Sequence, residues 1–408
     1  MKVDGHERVV PALSALSRRK LLTGAAVAGA VPWFARAAAA TGSFDAWLEI
    51  NDTALVANAR EAARAAGGRP VCATVKNNGY GLGLERVARV LDQVPEVSGL
   101  AVVKVDEAMR LAHLGVSKPI LLMARASNAE AEELVRRGVQ LAPFWDGDGE
   151  HLSALAATLD RPVPVHLYID TGMSRMGIPY HRALPWAADL AARPGVRIHG
   201  AFTGLTEDHE FDREQVRRLQ GLAADANARG FSLGRLHAAS SDALANLPEA
   251  HLDMVRPGIM LFGAHADGSH DAGILDITPA FRLRAPVVRV ERLRPGDTVS
   301  YGRSYVAQAP LWIATIPVGH SDGYPRQAVG TCRILIGART YPVIGFVSAS
   351  HCIVEIGPER LVEPGAVATL IGPDHPDIHP NEIANRSGRS VYDVLMHLSA
   401  QLPVRTWS

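Results

Sequence analysis

The order of apolar and polar positions divides the chain into two stretches with different periods. Between about residues 44 and 280, short buried runs alternate with segments of helical periodicity. Repeated strand-helix units of this length predict a parallel sheet, and about eight of them predict a closed (β/α)8 barrel with its chemistry at the strand carboxyl ends. The predicted strands are 70–75, 99–105, 120–123, 163–169, 198–202, 235–238 and 254–261, with helices at 83–91, 107–114, 129–137 and 213–229.

The period changes after residue 280. Five β-rich runs follow, divided by Gly and Pro turns and without helical segments between them. The 408 residues also exceed the usual size of one domain. We therefore predict an α/β protein in which a TIM-like barrel at 42–280 precedes a mostly β domain at 281–408.

The first 41 residues have the pattern of a twin-arginine signal peptide. Arg18 and Arg19 precede a run of apolar and small residues that ends near Ala40. A membrane anchor is the alternative, but the run is short and Pro32 interrupts it. We expect a periplasmic or otherwise exported protein without stable membrane anchoring.

Composition narrows the class of partner. The chain has 42 basic and 42 acidic residues, so no overall field favours nucleic acid or an anionic membrane. A small-molecule substrate is the expectation. The three cysteines match no zinc pattern, and a disulfide between Cys332 and Cys352 stays open.

The main candidate for chemistry is Lys76, which ends a buried run and precedes a glycine-rich turn at 77–83. A lysine at the mouth of a barrel is costly to desolvate unless it is neutral or covalently bound, for example as a Schiff base. A lysine that merely reaches solvent at the rim is the alternative for an isolated residue.

The segment 71–83 resembles the cofactor-lysine motif of alanine racemases, in which a tyrosine four residues after the lysine contacts the cofactor phosphate. Further segments resemble motifs of this family in the same order, and the likeness extends from Ala46 to Trp407. The resemblance implies a pyridoxal 5'-phosphate enzyme that interconverts L- and D-amino acids. The further segments are 165–177, 237–241, 256–263, 299–305 and 316–326.

The resemblance also implies a role for each site residue. Lys76 binds the cofactor and acts as one base, and Tyr301 is the base on the opposite face. Arg256, oriented by His237, faces the pyridine nitrogen; a guanidinium has a pKa above about 12 and cannot lend its proton. Arg175 pairs with the phenolic oxygen of the cofactor and with the substrate carboxylate. The phosphate contacts are Tyr80, Ser240, Ser241, Gly258, Ile259 and Tyr392.

Racemisation needs two bases because a proton leaves one face of Cα and returns on the other. Tyrosine ordinarily titrates near 10, so Tyr301 needs a partner that shares its proton or lowers its pKa. His199 and His320 are both candidates. The resemblance implies that Tyr301 reaches the barrel of a neighbouring subunit, and hence a homodimer with shared active sites.

The chain departs from the family at the substrate pocket. Tyr168 stands where the family has a lysine that becomes carbamylated, and Gly204 replaces a histidine. His320 replaces a tyrosine of the entry gate, and Ala349-Ser350 replaces Met-Asp beside the substrate carboxylate. The smaller side chains predict a broadened or altered pocket for substrates bulkier than alanine. The substrate-binding candidates are Arg175, Tyr301, His320 and Ala349.

Two alternative functions stay open. A lyase or aldolase on the same fold would use a metal site near the C-terminus, but the spacing of His375, His379 and His397 matches none, and we predict no metal. A noncatalytic protein that binds the cofactor is the second alternative, and the presence of both Lys76 and Tyr301 argues against it. The preferred amino acid stays undetermined by the sequence.

Overall fold

The computed structural model describes residues 44–266, 268 and 275–407. The predicted signal peptide at 1–41 lies outside the described residues. Within the described ranges, no helix combines the length and the apolar character that crossing a membrane requires.

The described chain opens with strand β1 (Trp47–Ile50) and helix α1 (Asp52–Ala65). Parallel strands then form the wall of a barrel, and most of their residues are buried because helices cover the outer face. In chain order they are β2 (Val71–Thr74), β3 (Val97–Val102), β4 (Ile120–Leu122), β5 (Gln140–Leu141), β6 (Val163–Asp170), β7 (Ile178–Pro179), β8 (Val196–Phe202) and β9 (Arg235–His237), with β7 paired to β6 beside the main path.

Residues 253–257 form the last segment of the barrel wall and close the barrel. The Cys72 N–H donates to the carbonyl of Val255 at 2.8 Å on one side, and the Arg256 N–H donates to the carbonyl of Ala239 at 2.8 Å on the other. These bonds join β2 to β9 through one short segment. The predicted (β/α)8 barrel is thereby confirmed.

The helices between the strands bury one apolar stripe each. In α3 the buried Leu84, Val87, Ala88 and Leu91 recur at helical spacing, which directs them to the sheet. Helix α8 begins four residues before the prediction because the side chain of Asp208 accepts a hydrogen bond from its first turn. The helices are α2 (Lys76–Tyr80), α3 (Leu84–Asp92), α4 (Val105–Leu114), α5 (Asn128–Arg136), α6 (Asp148–Leu159), α7 (Tyr180–Ala192), α8 (His209–Ala228) and α9 (Ser241–Asn246).

The C-terminal part is mostly β, as predicted, with short helices α10 (Pro380–Ser387) and α11 (Val391–Met396) that the pattern did not predict. Its large sheet has the order β11-β14-β17-β16-β15-β18-β10-β1-β19. The strands are β10 (Phe281–Pro286), β11 (Arg289–Leu293), β12 (Thr298–Val299), β13 (Tyr305–Val306), β14 (Leu311–Ile316), β15 (Arg333–Ile336), β16 (Arg339–Ile344), β17 (Cys352–Gly357), β18 (Val367–Ile371) and β19 (Val404–Thr406).

Strand β1 belongs to this second sheet and not to the barrel. It pairs antiparallel with β10 and parallel with β19. Trp47–Ile50 thus falls inside the range predicted for the barrel, 42–280, but is hydrogen-bonded to strands of the second sheet. All four residues of the strand are buried, and the sequence alone does not say which sheet the strand joins.

The cysteines are free thiols buried in the core. The disulfide that the sequence left open between Cys332 and Cys352 is absent from the described structure. Burial raises the pKa of Cys332 to about 11 and raises the pKa of Cys352 as well.

Candidate active site

Lys76 lies at the carboxyl end of strand β2, and the turn after it is left-handed. The φ angles of Asn77, Asn78, Gly79 and Tyr80 are 55°, 58°, 60° and 53°. Glycine and asparagine tolerate this region, whereas a tyrosine there costs roughly 1–2 kcal/mol. Such strain concentrates at functional sites, and here it places Lys76 and Tyr80 on the same side of the turn, in one cavity.

The amine of Lys76 is half-buried. Burial and the nearby charge of Arg175 lower the pKa of Lys76, while the carboxylate of Glu107 opposes them. Glu107 is itself buried, and it accepts a hydrogen bond from the N–H of Asn78 at 2.8 Å. The lowered pKa increases the share of neutral amine, which is the form that can act as a nucleophile or a base.

A cavity of about 520 Å³ opens at the strand carboxyl ends; we call it the mouth cavity. It brings together residues that are up to about 300 positions apart in the sequence. Of the predicted cofactor residues, those that line it are Lys76, Tyr80, Arg175, Ser240, Ser241, Arg256, Gly258 and Tyr392.

Tyr80 and Gly258 meet at one wall of the mouth cavity. A Cβ at Gly258 would come within 2.0 Å of the Tyr80 hydroxyl, so only glycine allows this approach. The Tyr80 ring packs 4.7 Å from Phe262 and 6.3 Å from Tyr392, measured between ring centroids. Burial raises the pKa of Tyr80 and of Tyr392, so both hydroxyls keep their protons and can donate to an anion.

The two serines have different surroundings. The Ser241 hydroxyl oxygen accepts from the N–H of Gly258 at 2.9 Å and from the N–H of Met260 at 3.3 Å. The Gly258 N–H, expected to bind phosphate, is thus bonded to Ser241. The hydroxyl of Ser240 does not cap helix α9 and lines the cavity. Ile259, fully buried, begins a short 3-10 helix.

Arg256 is 9% exposed and held on three sides. Its Nη1 donates to Nδ1 of His237 at 2.9 Å and to the His237 carbonyl at 2.8 Å, and its Nη2 donates to the Thr203 carbonyl at 2.8 Å. The expected hydrogen bond between Arg256 and His237 is therefore present. Burial lowers the pKa of Arg256 to about 10, below the expected value, yet the group stays charged at neutral pH.

Tyr168 lies beside Gly204 in the mouth cavity, where Met173 Sδ is the atom nearest to the Cβ position of Gly204, at 3.1 Å. Its ring is 6% exposed and stacks on Phe202 with centroids 4.3 Å apart. A Cβ at Gly204 would lie 3.6 Å from the Tyr168 hydroxyl and 3.7 Å from a guanidinium nitrogen of Arg175. Tyrosine and arginine thus share one side of the mouth cavity, beside a position without a side chain.

The sequence reasoning missed Glu207, which also lines the mouth cavity. Its backbone has a φ of 67°, unusual for a residue other than glycine. Burial and the carboxylates of Asp242 and Asp212 raise its pKa. An acidic residue in a polar loop gives no sequence signal that separates it from an ordinary surface residue.

The three predicted residues of the β domain that would contact substrate lie outside the mouth cavity of their own chain. Tyr301 is 72% exposed, on a turn of the β domain where Ser300 and Arg303 have φ of 66° and 53°. His320 and Ala349 are also exposed on that domain. Within one chain, the structure does not bring them to Lys76.

His199, one of the two candidate partners of Tyr301, does not line the mouth cavity. It lines a different cavity, with Gln140, His166 and Arg235, at the amino-terminal end of the barrel. Its Nδ1 lies 3.2 Å from Nε2 of Gln140. Residues at that end and residues at the mouth are separated by the packed barrel core.

Comparisons with known proteins agree with this arrangement. Residues 50–266 match the alanine racemase N-terminal domain, and residues 280–406 match the alanine racemase C-terminal domain. The chain is 33% identical over 369 residues to an alanine racemase of Desulfovibrio desulfuricans, covering 88% of this chain and 98% of the relative.

Solved structures show the same fold. The biosynthetic alanine racemase from Pseudomonas aeruginosa superposes with a TM-score of 0.80 at 29% identity, covering 90% of this chain and 100% of that one. A histidine racemase from Leuconostoc mesenteroides superposes with a TM-score of 0.79 at 24% identity, covering 90% and 99%, which shows a shared fold. The chain therefore belongs to the alanine racemase family of pyridoxal-phosphate-dependent amino-acid racemases.

Proposed function

We propose that this racemase works with two bases, Lys76 from its own barrel and Tyr301 from a second copy of the chain, and that it accepts amino acids larger than alanine. The observation that carries the first part is the half-buried Lys76 at the strand ends, with its pKa lowered beside Arg175.

The residues of the mouth cavity fit pyridoxal phosphate. Lys76 would hold it covalently, the hydroxyls of Tyr80, Ser240 and Tyr392 would donate to its phosphate, and Arg256 would face its ring nitrogen. The close approach of Tyr80 to Gly258 builds the donor wall that a dianion requires. When bound, the cofactor supplies an electron-withdrawing ring that makes the Cα proton of the substrate acidic.

The chain's own groups then move and hold the proton. The Lys76 amine, whose pKa is lowered, accepts or returns a proton at Nζ on one face of Cα. Tyr301 does the same at its phenol oxygen on the other face. Arg256 only donates hydrogen bonds, so it orients without taking part in proton transfer.

We infer that a second copy of the chain supplies Tyr301 because the Tyr301 side chain is exposed. Tyr301 is 72% exposed and Phe346 is 43% exposed, and the Ser300 hydroxyl donates to the Phe346 carbonyl at 3.1 Å, so the two aromatics are neighbours. Exposed aromatics on a strained turn are typical of a contact surface. A homodimer would place this surface on the partner's mouth cavity.

The same surface includes the residues expected to widen the pocket. The His320 N–H donates to the carbonyl of Ser348 at 3.0 Å, and the Ser321 hydroxyl donates to the carbonyl of Ala349 at 2.6 Å. His320 and Ala349 are thus adjacent, and a dimer would present both to the substrate. The name of the Leuconostoc protein, histidine racemase, supports a side chain larger than methyl on this fold.

Single L-amino acids in deuterated water test the reaction. A racemase incorporates deuterium at Cα and yields the D-isomer, which proton NMR and chiral chromatography measure. A lyase or aldolase would give cleavage products, and a noncatalytic binding protein would give neither result. A hundredfold preference for alanine over every larger amino acid would refute the broadened pocket.

Subunit mixing tests the shared site. Lys76→Ala and Tyr301→Phe each inactivate their own homodimer, but a mixed dimer has one site with both bases intact. Refolding the two variants together at equal amounts should restore about a quarter of the wild-type activity, because half of the dimers are mixed and each has one good site. No recovery would refute the contribution of Tyr301 across the interface.

We also propose export by the twin-arginine route, on the pattern of residues 1–41. Replacement of Arg18 and Arg19 by lysine should retain the full-length protein in the cytoplasm, as cell fractionation would measure. Unchanged export of that variant would contradict the proposal.

A further inference from the structure

Hydrogen bonds join three side chains in a row across the core of the barrel, and we call this row the file. Arg256, at the mouth cavity, donates from Nη1 to Nδ1 of His237 at 2.9 Å. His237 is fully buried, and its Nε2 lies 2.8 Å from Nδ1 of His166. His166, on strand β6, is 6% exposed and lines the cavity of about 420 Å³ at the amino-terminal end, which we call the rear cavity.

The protons in this file have one consistent arrangement. Arginine is a donor only, so Nδ1 of His237 must be the acceptor and carry no proton. A neutral His237 then carries its proton on Nε2 and donates it to Nδ1 of His166. Nδ1 of His166 must in turn be bare, which leaves the proton of a neutral His166 on its own Nε2.

Charge on either imidazole would break the file. Burial and the charge of Arg256 hold the pKa of His237 well below its usual range. Burial, together with the charges of His199, Arg256 and Arg235, lowers the pKa of His166 to about 4. Both rings are therefore neutral at physiological pH, and the arrangement of protons stays fixed.

The barrel is built to admit the His166 ring. A Cβ at Gly200 of the neighbouring strand β8 would lie 2.6 Å from Nδ1 of His166 and 2.6 Å from the carbonyl oxygen of Arg235, so the His166 ring and the backbone both leave room only for glycine. The rings of His166 and His237 stand nearly perpendicular, at 70°, with centroids 5.0 Å apart. Phe202 stacks on the other side of His237 at 5.1 Å, and the Arg256 guanidinium lies over Phe202 at 4.9 Å.

We propose that His166 is a positioning residue of the active site. His166 accepts a hydrogen bond from the Nε2–H of His237 and so fixes the tautomer in which the Nδ1 of His237 carries no proton. That bare Nδ1 accepts from Arg256 and holds the guanidinium at the mouth cavity. His166 touches neither substrate nor cofactor; it acts from the rear of the barrel through His237. The effect on turnover rests on the proposed function, whereas the tautomer does not.

Loss of the acceptor leaves the Nε2 proton of His237 without a partner in the core. A buried donor without an acceptor is unfavourable, so states in which the His237 ring has turned or its proton lies on Nδ1 become relatively more stable. Two donors, Nη1 of Arg256 and Nδ1 of His237, would then face each other. Arg256 keeps its two carbonyl acceptors but loses the third fixed point that sets its orientation.

The first experiment measures the tautomer in the holoenzyme. Nitrogen-15 NMR of protein labelled at histidine distinguishes protonated from bare ring nitrogens, and His237→Gln identifies the His237 signals. We expect wild-type His237 to be neutral with its proton on Nε2, and His166→Leu to shift its Nδ1 and Nε2 signals. A wild-type His237 with its proton on Nδ1, or one that is doubly protonated, overturns the proposal.

The second experiment uses three variants with matched surroundings. His166→Leu removes the acceptor, His166→Asn returns an oxygen near the position of Nδ1, and His199→Leu changes a second histidine of the same rear cavity outside the file. We expect kcat to fall by about 10- to 100-fold in His166→Leu, the range typical for loss of a supporting hydrogen bond, with KM little changed. His166→Asn should recover most of kcat, and His199→Leu should resemble wild type.

The outcomes separate this proposal from the proposed function. If all variants retain wild-type kcat and the His237 signals do not shift, the positioning role is refuted. If His166→Asn is as impaired as His166→Leu, His166 acts by packing alone, and the proposal fails. If the wild-type enzyme racemises nothing, the proposed function fails, while the wild-type NMR spectrum still decides the tautomer.

Discussion

The contact between Gly258 and Tyr80 makes the sharpest test of the cofactor wall. In Gly258→Ala, the new methyl carbon would lie 2.0 Å from the Tyr80 hydroxyl oxygen and 2.8 Å from its Cζ. Normal contacts of this kind need about 3.5 Å, so the ring would have to move by roughly 1.5 Å. Tyr80 is 3% exposed and packs against Phe262, so a shift of its ring would disturb this packing or push the ring into the mouth cavity that it lines.

The cost in stability follows from the steric contact. Overpacking of a filled core typically costs about 1–3 kcal/mol. Both the hydroxyl and Cζ of Tyr80 would be too close to the new methyl carbon, so we take the upper end of this range. We expect the free energy of unfolding to fall by about 3 kcal/mol, or the affinity for pyridoxal phosphate to fall by about 100-fold if Tyr80 moves instead.

Equilibrium urea denaturation with and without cofactor, together with a spectroscopic cofactor titration, measures both quantities. Tyr80→Phe removes the 2.0 Å contact but leaves the one at 2.8 Å, so the double variant should lose less than the sum of the single losses. Gly221→Ala, in helix α8 with open space around it, is the control and should be neutral or stabilising. Wild-type stability and affinity in Gly258→Ala would refute the proposed wall.

Three further predictions concern the thiols, a surface pair and the substrate pocket. Cys332 and Cys352 are buried with raised pKa values, so a thiol reagent at pH 8 should modify them only after urea unfolds the protein; rapid labelling of the native protein would contradict this. The hydrogen bond to Asp242 at 2.9 Å raises the pKa of His209, so His209→Gln should reduce the free energy of unfolding below pH 6.5. The difference from wild type should disappear as the pH rises through the raised pKa of His209, as urea denaturation at several pH values would measure. A destabilisation that does not depend on pH would refute this prediction. Tyr168→Phe keeps the stacked ring and removes a hydroxyl from the mouth cavity, so KM should change while the midpoint of urea unfolding stays the same. A changed unfolding midpoint with an unchanged KM would instead assign the hydroxyl to stability.

The sequence by itself determined the strand-helix order of the barrel and the position of Lys76 at a strand end. Both follow from local information, since the hydrophobic period sets the buried face and a glycine-rich turn marks where a strand stops. The motif resemblance also led to Arg256 and His237, whose hydrogen bond is present in the structure.

Only the tertiary structure decided which distant segments meet. Residues 253–257 close the barrel and β1 joins the C-terminal sheet, because strand pairing depends on neighbours that hydrophobic patterns do not specify. It also placed His199 at the rear of the barrel, left the buried cysteines as free thiols, and exposed Tyr301. The direction in which a side chain points, and what lies opposite it, is a property of the packed barrel and not of any local stretch of sequence.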